Sequence, residues 1–191
     1  MPPAAHIPIH AIKGRGAATR LAHRFSKDER DAFDDGWGTL EENAAEADEL
    51  EPLATEVRFE DVKSALNEND SPDIHFDRSI NPYRGCEHGC IYCFARPTHS
   101  YLNLSPGLDF ETKLIAKRNL VEVLRRELGR KSYRPSHLAI GTATDCYQPI
   151  ERELRITRSV IELLSEANHP FGLVTKSSAV SYTHLTLPTK A

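Results

Sequence analysis

Three cysteines stand close together in the run Arg84-Gly85-Cys86-Glu87-His88-Gly89-Cys90-Ile91-Tyr92-Cys93-Phe94. Their spacing is C-x3-C-x2-C, with an aromatic residue, Tyr92, just ahead of the third thiol. Closely spaced thiolates are common ligands of iron–sulfur clusters. On one short loop, Cys86, Cys90 and Cys93 can each bind one iron of a [4Fe-4S] cluster. The fourth iron is then open to a substrate or cofactor. Gly85 and Gly89 would let the backbone approach such a cluster closely.

Two other uses of these thiols compete. A structural zinc site takes four Cys or His ligands. It would have to recruit His88 or the distant Cys146, and would make the chain a zinc-stabilised nucleic-acid-binding module. Disulfides need an oxidising compartment, and residues 1–27 lack the apolar core of a secretion signal. No stretch approaches the roughly 20 apolar residues that span a bilayer. The expected location is therefore cytoplasmic, with no membrane partner.

The thiol pattern resembles the signature of the radical S-adenosylmethionine (SAM) superfamily. The flanking words Ser79-Ile80-Asn81-Pro82-Tyr83-Arg84-Gly85-Cys86 and Cys93-Phe94-Ala95-Arg96 resemble its spore photoproduct lyase-like branch. The resemblance covers about residues 74–179, with a weaker echo at Lys13-Gly14-Arg15-Gly16-Ala17. It implies an α/β fold, the N-terminal portion of a partial (β/α)6 radical-SAM barrel. It also implies two cofactors, a [4Fe-4S] cluster and SAM, at the carboxyl ends of the strands. An electron donor of flavodoxin or ferredoxin type follows from that chemistry. Reductive cleavage of SAM would give a 5′-deoxyadenosyl radical that abstracts hydrogen from a substrate.

The resemblance also assigns roles. Tyr92 would pack near the SAM adenine, or simply in the core. Thr144 and Asp145 would contact the methionyl end, and Lys176 would pair with its carboxylate. The plain alternatives are a turn or helix-capping aspartate and a surface lysine. The lyase itself carries a cysteine hydrogen donor three residues before the aspartate, where Thr142 stands here. Cys146 is the candidate replacement donor, or else a small buried residue. The lyase's repair reaction therefore does not transfer, and a nucleic-acid substrate rests on analogy alone.

These motifs need elements to hold them. Residues 74–80 read as a strand leading into the cysteine loop, and 94–106 as a loop anchored by Tyr101 and Leu102. Residues 111–130 read as an amphipathic helix, with Leu114, Leu120, Val121, Val123, Leu124 and Leu128 inward. Its other face carries Lys117, Arg118, Arg125, Arg126 and Arg130, a solvated face or a polyanion contact. A strand at 137–141, a helix at 151–168 and a strand at 171–175 follow. Alternation of this kind implies a parallel sheet with right-handed crossovers.

Charge divides the 191 residues further. Residues 1–27 sum to +5, 28–61 to −12 and 62–179 to +2, within a net charge of −4. Residues 1–70 read as a basic, then acidic extension that is largely disordered because it has too little apolar surface to bury. The basic arm is either a flexible tail or a phosphate contact. The core is expected at 71–179. Residues 180–191, including Ser181-Tyr182-Thr183-His184-Leu185, resemble a translated sequencing adapter rather than native sequence. The chain would then be a fragment with about half of the barrel missing.

Overall fold

A computed structural model describes residues 15–17 and 54–178. The adapter-like tail and most of the basic and acidic extension lie outside the described residues. Among the described residues, two small sheets and four α-helices form a mixed α/β arrangement. The first sheet is ordered β1-β5-β4, with β1 Glu56–Glu60, β4 Tyr83–Arg84 and β5 Lys113–Lys117. The second is ordered β2-β3-β6-β7, with β2 Asn67–Glu68, β3 Arg78–Ile80, β6 Leu138–Ile140 and β7 Phe171–Leu173.

Strands β3, β6 and β7 are mutually parallel, as the alternating pattern predicts. Their registers pair Ile80 with Ile140 and Ile140 with Leu173. The three strand ends therefore stand side by side, and the chain leaves each of them toward the same edge. The helices Leu120–Leu128 and Ile156–Glu166 pack against one another beneath this sheet's apolar residues. Leu120, Leu124, Leu138, Ile140, Val160 and Leu164 are fully buried in one cluster. Burial of each such side chain stabilises the fold by about 1.5–3 kcal/mol.

Two expectations are corrected. The helix predicted over 111–130 is in fact a short helix Leu108–Thr112, strand β5 and the helix Leu120–Leu128. Leu114 and Ala116 are buried because they alternate on a strand, not because they share a helical stripe. The cause is tertiary. Strand β1 pairs with β5 in parallel over its whole length, Glu56 opposite Lys113 through Glu60 opposite Lys117. Strand β1 itself lies in the segment that composition placed in the extension.

The basic helical face is corrected as well. Lys117 belongs to β5 and is buried, which pushes its pKa down to about 8. Arg118 pairs with Asp61 at 2.7 Å, and Arg125 with Glu166 at 3.3 Å. Lys117 and Arg118 thus fall outside the helix, while Arg125 and Arg126 stay exposed on it, as a solvated face requires.

Candidate cofactor site

The cysteine loop leaves β4 at Gly85 and is fixed at both ends. Gly85 has φ +79°, and a Cβ there would meet the Phe110 and Lys113 carbonyl oxygens at 3.0 Å. Only glycine suits this crossing. The Cys86 N–H donates to the Phe110 carbonyl at 2.8 Å, tying the loop to the Leu108–Thr112 helix. The Cys90 carbonyl accepts from Arg96 Nε at 3.0 Å.

The three thiols differ in surroundings. Cys86 is buried in a small apolar cluster with Ala95 and Phe110, against which Cys93 also packs. Burial pushes its thiol pKa up, opposed by a hydrogen bond from the Gln148 side chain. That amide donates to Cys86 Sγ at 3.3 Å, while its oxygen accepts the Glu87 N–H at 2.9 Å. Gln148 thus holds the loop from the far side of the site. The sequence carries no signal of this role, although Gln148 stands only three residues beyond Asp145. Cys90 meets the side chain of Lys176, whose Nζ lies 3.1 Å from its sulfur.

Lys176 also donates to the Tyr92 hydroxyl, and its Nζ lies 4.5 Å from the centre of that ring. These two hydrogen bonds, the Tyr92 one larger, hold the lysine's proton beyond the ordinary lysine range. Cys90 and Tyr92 of the cysteine loop and Lys176 from a separate motif therefore converge.

Asp145 joins them by a different route. Its Oδ1 accepts the Thr175 hydroxyl at 2.7 Å and the Tyr147 N–H at 2.9 Å. Its Oδ2 accepts the Lys176 N–H at 2.7 Å. His88 Nε2 stands 3.3 Å from Oδ2, at ion-pair distance but without hydrogen-bond alignment. The carboxylate thus ties the loop after β6 to the end of β7, which is the turn-forming role as much as a ligand role.

Thr144 is buried, and its N–H reaches Asn81 Oδ1 at 3.4 Å. Asn81 follows β3 and also accepts the Ala143 N–H at 2.9 Å, so it shapes this loop. Its side chain was missed because an asparagine before a proline reads as a turn former.

Cys146 is placed elsewhere. It is fully buried in the main core cluster, its sulfur facing the Val174 carbonyl at 4.0 Å. Burial pushes its pKa up to about 12. The structure places it as the small buried residue of the alternative reading, in a different cluster from Cys86.

Among the described residues, no three His, Cys, Asp or Glu side chains are gathered tightly enough to hold a metal ion. The donor set fits a [4Fe-4S] cluster in chemistry: Cys86, Cys90 and Cys93 are free thiols on one loop. Two share an apolar wall and the third faces a lysine. The loop supplies the ligands without preassembling their geometry. A cleft of about 510 Å³ opens alongside, lined among others by His88, Gln148, Glu151, Arg152, Arg155 and Arg158.

Comparison with known proteins gives relatives without assigned activity. Uncharacterized proteins of Mycobacterium tuberculosis and Mycobacterium bovis are each 42% identical to this chain over 125 residues. The match covers 64% of this chain and 37% of each relative. An uncharacterized protein of Methanocaldococcus jannaschii is 25% identical over 120 residues, covering 62% of this chain and 42% of the relative. The chain thus spans well under half the length of these curated relatives. No protein-family model and no solved structure matches it. Among the described residues, no helix is long and apolar enough to cross a membrane.

Proposed function

We propose that this chain carries the cofactor-binding portion of a radical-SAM enzyme similar to the spore photoproduct lyase branch, built on part of a (β/α)6 barrel and working in the cytoplasm. The observation that carries the reading is the convergence of Lys176, at the end of β7, on Cys90 and Tyr92 of the cysteine loop. Cys86, Cys90 and Cys93 would hold the cluster. When bound, the cluster with SAM supplies one-electron cleavage of the sulfonium, with a flavodoxin- or ferredoxin-type donor as the electron source. Lys176 offers a cation to the SAM carboxylate, and Tyr92 an aromatic face to its adenine. Asp145 and the buried Thr144 set the loop against which the methionyl end would rest. Positioning of this kind is the main contribution of a protein to cofactor chemistry.

The substrate side is coarser. Arg152, Arg155 and Arg158 line the cleft beside the loop, and this supports a polyanionic substrate such as nucleic acid. Anaerobic reconstitution with iron and sulfide tests the cluster. A brown protein holding iron and acid-labile sulfide is expected, with 5′-deoxyadenosine released from SAM by the longer mycobacterial relative under dithionite. A colourless protein with stoichiometric zinc would overturn the reading in favour of a zinc-stabilised module.

A further inference from the structure

The Lys13–Ala17 run reads from its sequence as a basic arm, yet Arg15 and Gly16 lie across the cysteine loop. Glu111 is the anchor. It is fully buried, and its Oε2 accepts the backbone N–H of Arg15 at 2.7 Å and of Gly16 at 2.9 Å. Its other oxygen pairs with Arg96. Arg96 in turn donates through Nε to the Cys90 carbonyl at 3.0 Å. One buried carboxylate therefore joins the arm to the residue that holds the Cys90 backbone. Such a network is costly to leave half satisfied.

The contact is steric as well as polar. Gly89 has φ +61°, and a Cβ there would stand 2.6 Å from Arg15 Cβ. A Cβ on Gly16 would lie 1.7 Å from the Gly89 carbonyl oxygen. Both positions tolerate only hydrogen where the two backbones cross. The Arg15 guanidinium is likewise engaged by the protein. It meets Glu87 Oε2 at 3.0 Å, Thr55 Oγ1 at 2.9 Å and the Glu111 carbonyl at 2.7 Å. Glu87 lies within the cysteine loop itself.

We propose that the Arg15–Gly16 arm, pinned by Glu111, is a strap that positions the cysteine loop by holding the Gly89–Cys90 backbone. Arg15, Gly16 and Glu111 are positioning residues, acting on Cys90 and Cys93 through the loop. The bearing of the strap on cluster binding rests on the function proposed above. The strap itself rests only on the loop geometry.

Alkylation of the metal-free full chain with N-ethylmaleimide tests it, with the rate at each cysteine followed by peptide mass mapping. Gly16→Val prevents the arm from seating. Cys90 and Cys93 should then react about tenfold faster, as a locally opened segment does, while buried Cys146 stays protected. Unchanged labelling of Cys90 and Cys93 with Cys146 still protected would overturn the strap. If Gly16→Val exposes Cys146 as well, the milder Arg15→Ala decides by the same criterion. Exposure of Cys146 in that variant too would make the arm a general part of the fold, which also overturns a loop-specific strap. Arg15→Lys keeps a cation for Glu87 and should recover part of the protection at Cys90. Iron uptake is measured in parallel. A wild-type chain that takes up no iron would sink the cluster reading, while the labelling still decides the strap.

Discussion

Lys176 places its ammonium 3.1 Å from the sulfur of Cys90, although 86 positions separate the two in the chain. The parallel sheet makes this possible. With β6 between β3 and β7, the chain leaves these three strands at one edge, and β4, from which the cysteine loop starts, follows β3 after two residues. Asp145 then fastens two of those exits together, its Oδ2 accepting the Lys176 N–H at 2.7 Å. The lysine is held by its backbone at one strand end and reaches the cysteine loop with its side chain.

Removing the thiol of Cys90 should remove the cluster. Cys90→Ala is expected to lose most of the iron and acid-labile sulfide taken up on anaerobic reconstitution, together with the visible absorption. Full iron content in that variant would refute the ligand assignment.

Lys176→Met deletes the cation while keeping the length of the side chain. It should weaken SAM binding by about tenfold or more, since a charge-assisted contact is lost. Iron content should stay at the wild-type level. Equilibrium dialysis with SAM on the reconstituted protein measures both; equal affinity in the variant would end the clamp model.

Asp145→Asn sets an amide N–H₂ against donors that now meet a carboxylate. At least one of the Thr175, Tyr147 and Lys176 contacts is lost. The expected cost is about 1–3 kcal/mol, read from the urea midpoint. A midpoint equal to wild type would show that the tie between the β6 and β7 exits is not structural.

Leu124→Ala should cost about 2–5 kcal/mol, with the dependence on urea unchanged. Leu124 is fully buried where the Leu120–Leu128 helix meets the core. A loss below about 1 kcal/mol would mean that this helix does not seal the core as described.

Cys146 predicts a pH dependence. Its pKa rises from the ordinary 9.0 to about 12 on folding because the thiol is buried. The folded state therefore keeps a proton that the unfolded state releases. Its stabilising contribution is complete below pH 9 and falls as pH rises from about 9 toward 12. Cys146→Ala should flatten that part of the stability curve, while iron uptake is unchanged. The comparison of urea midpoints at pH 8 and pH 10.5 reads it, and an unaltered slope would contradict the burial of this thiol.

Much of the core was legible because it is local. The apolar spacing of Leu120, Val123 and Leu124 is helical, and the helix is found at Leu120–Leu128. Val160, Ile161 and Leu164 likewise fall in a helix, Ile156–Glu166, although the helix expected over 151–168 is broken at Arg155 (φ +52°), which separates it from Glu151–Leu154. Lys113–Lys117 was misread because a short apolar run suits either a helix or a strand. The parallel partner Glu56–Glu60 chose the strand, and that partner lies more than fifty residues upstream.

The sequence by itself determined the chemistry on offer: three thiols at C-x3-C-x2-C, an aromatic neighbour, and an aspartate and a lysine after two later strands. Residue type and close spacing are written along the chain. What only the tertiary structure decided is which of these groups meet. Lys176 turns to Cys90 and Tyr92, Asp145 ties two loops, Cys146 sinks into the core, and Arg15 and Gly16 cross Gly89. Those outcomes depend on sheet order and on buried partners such as Glu111 and Gln148, which act across many residues of chain and leave no periodic trace in it.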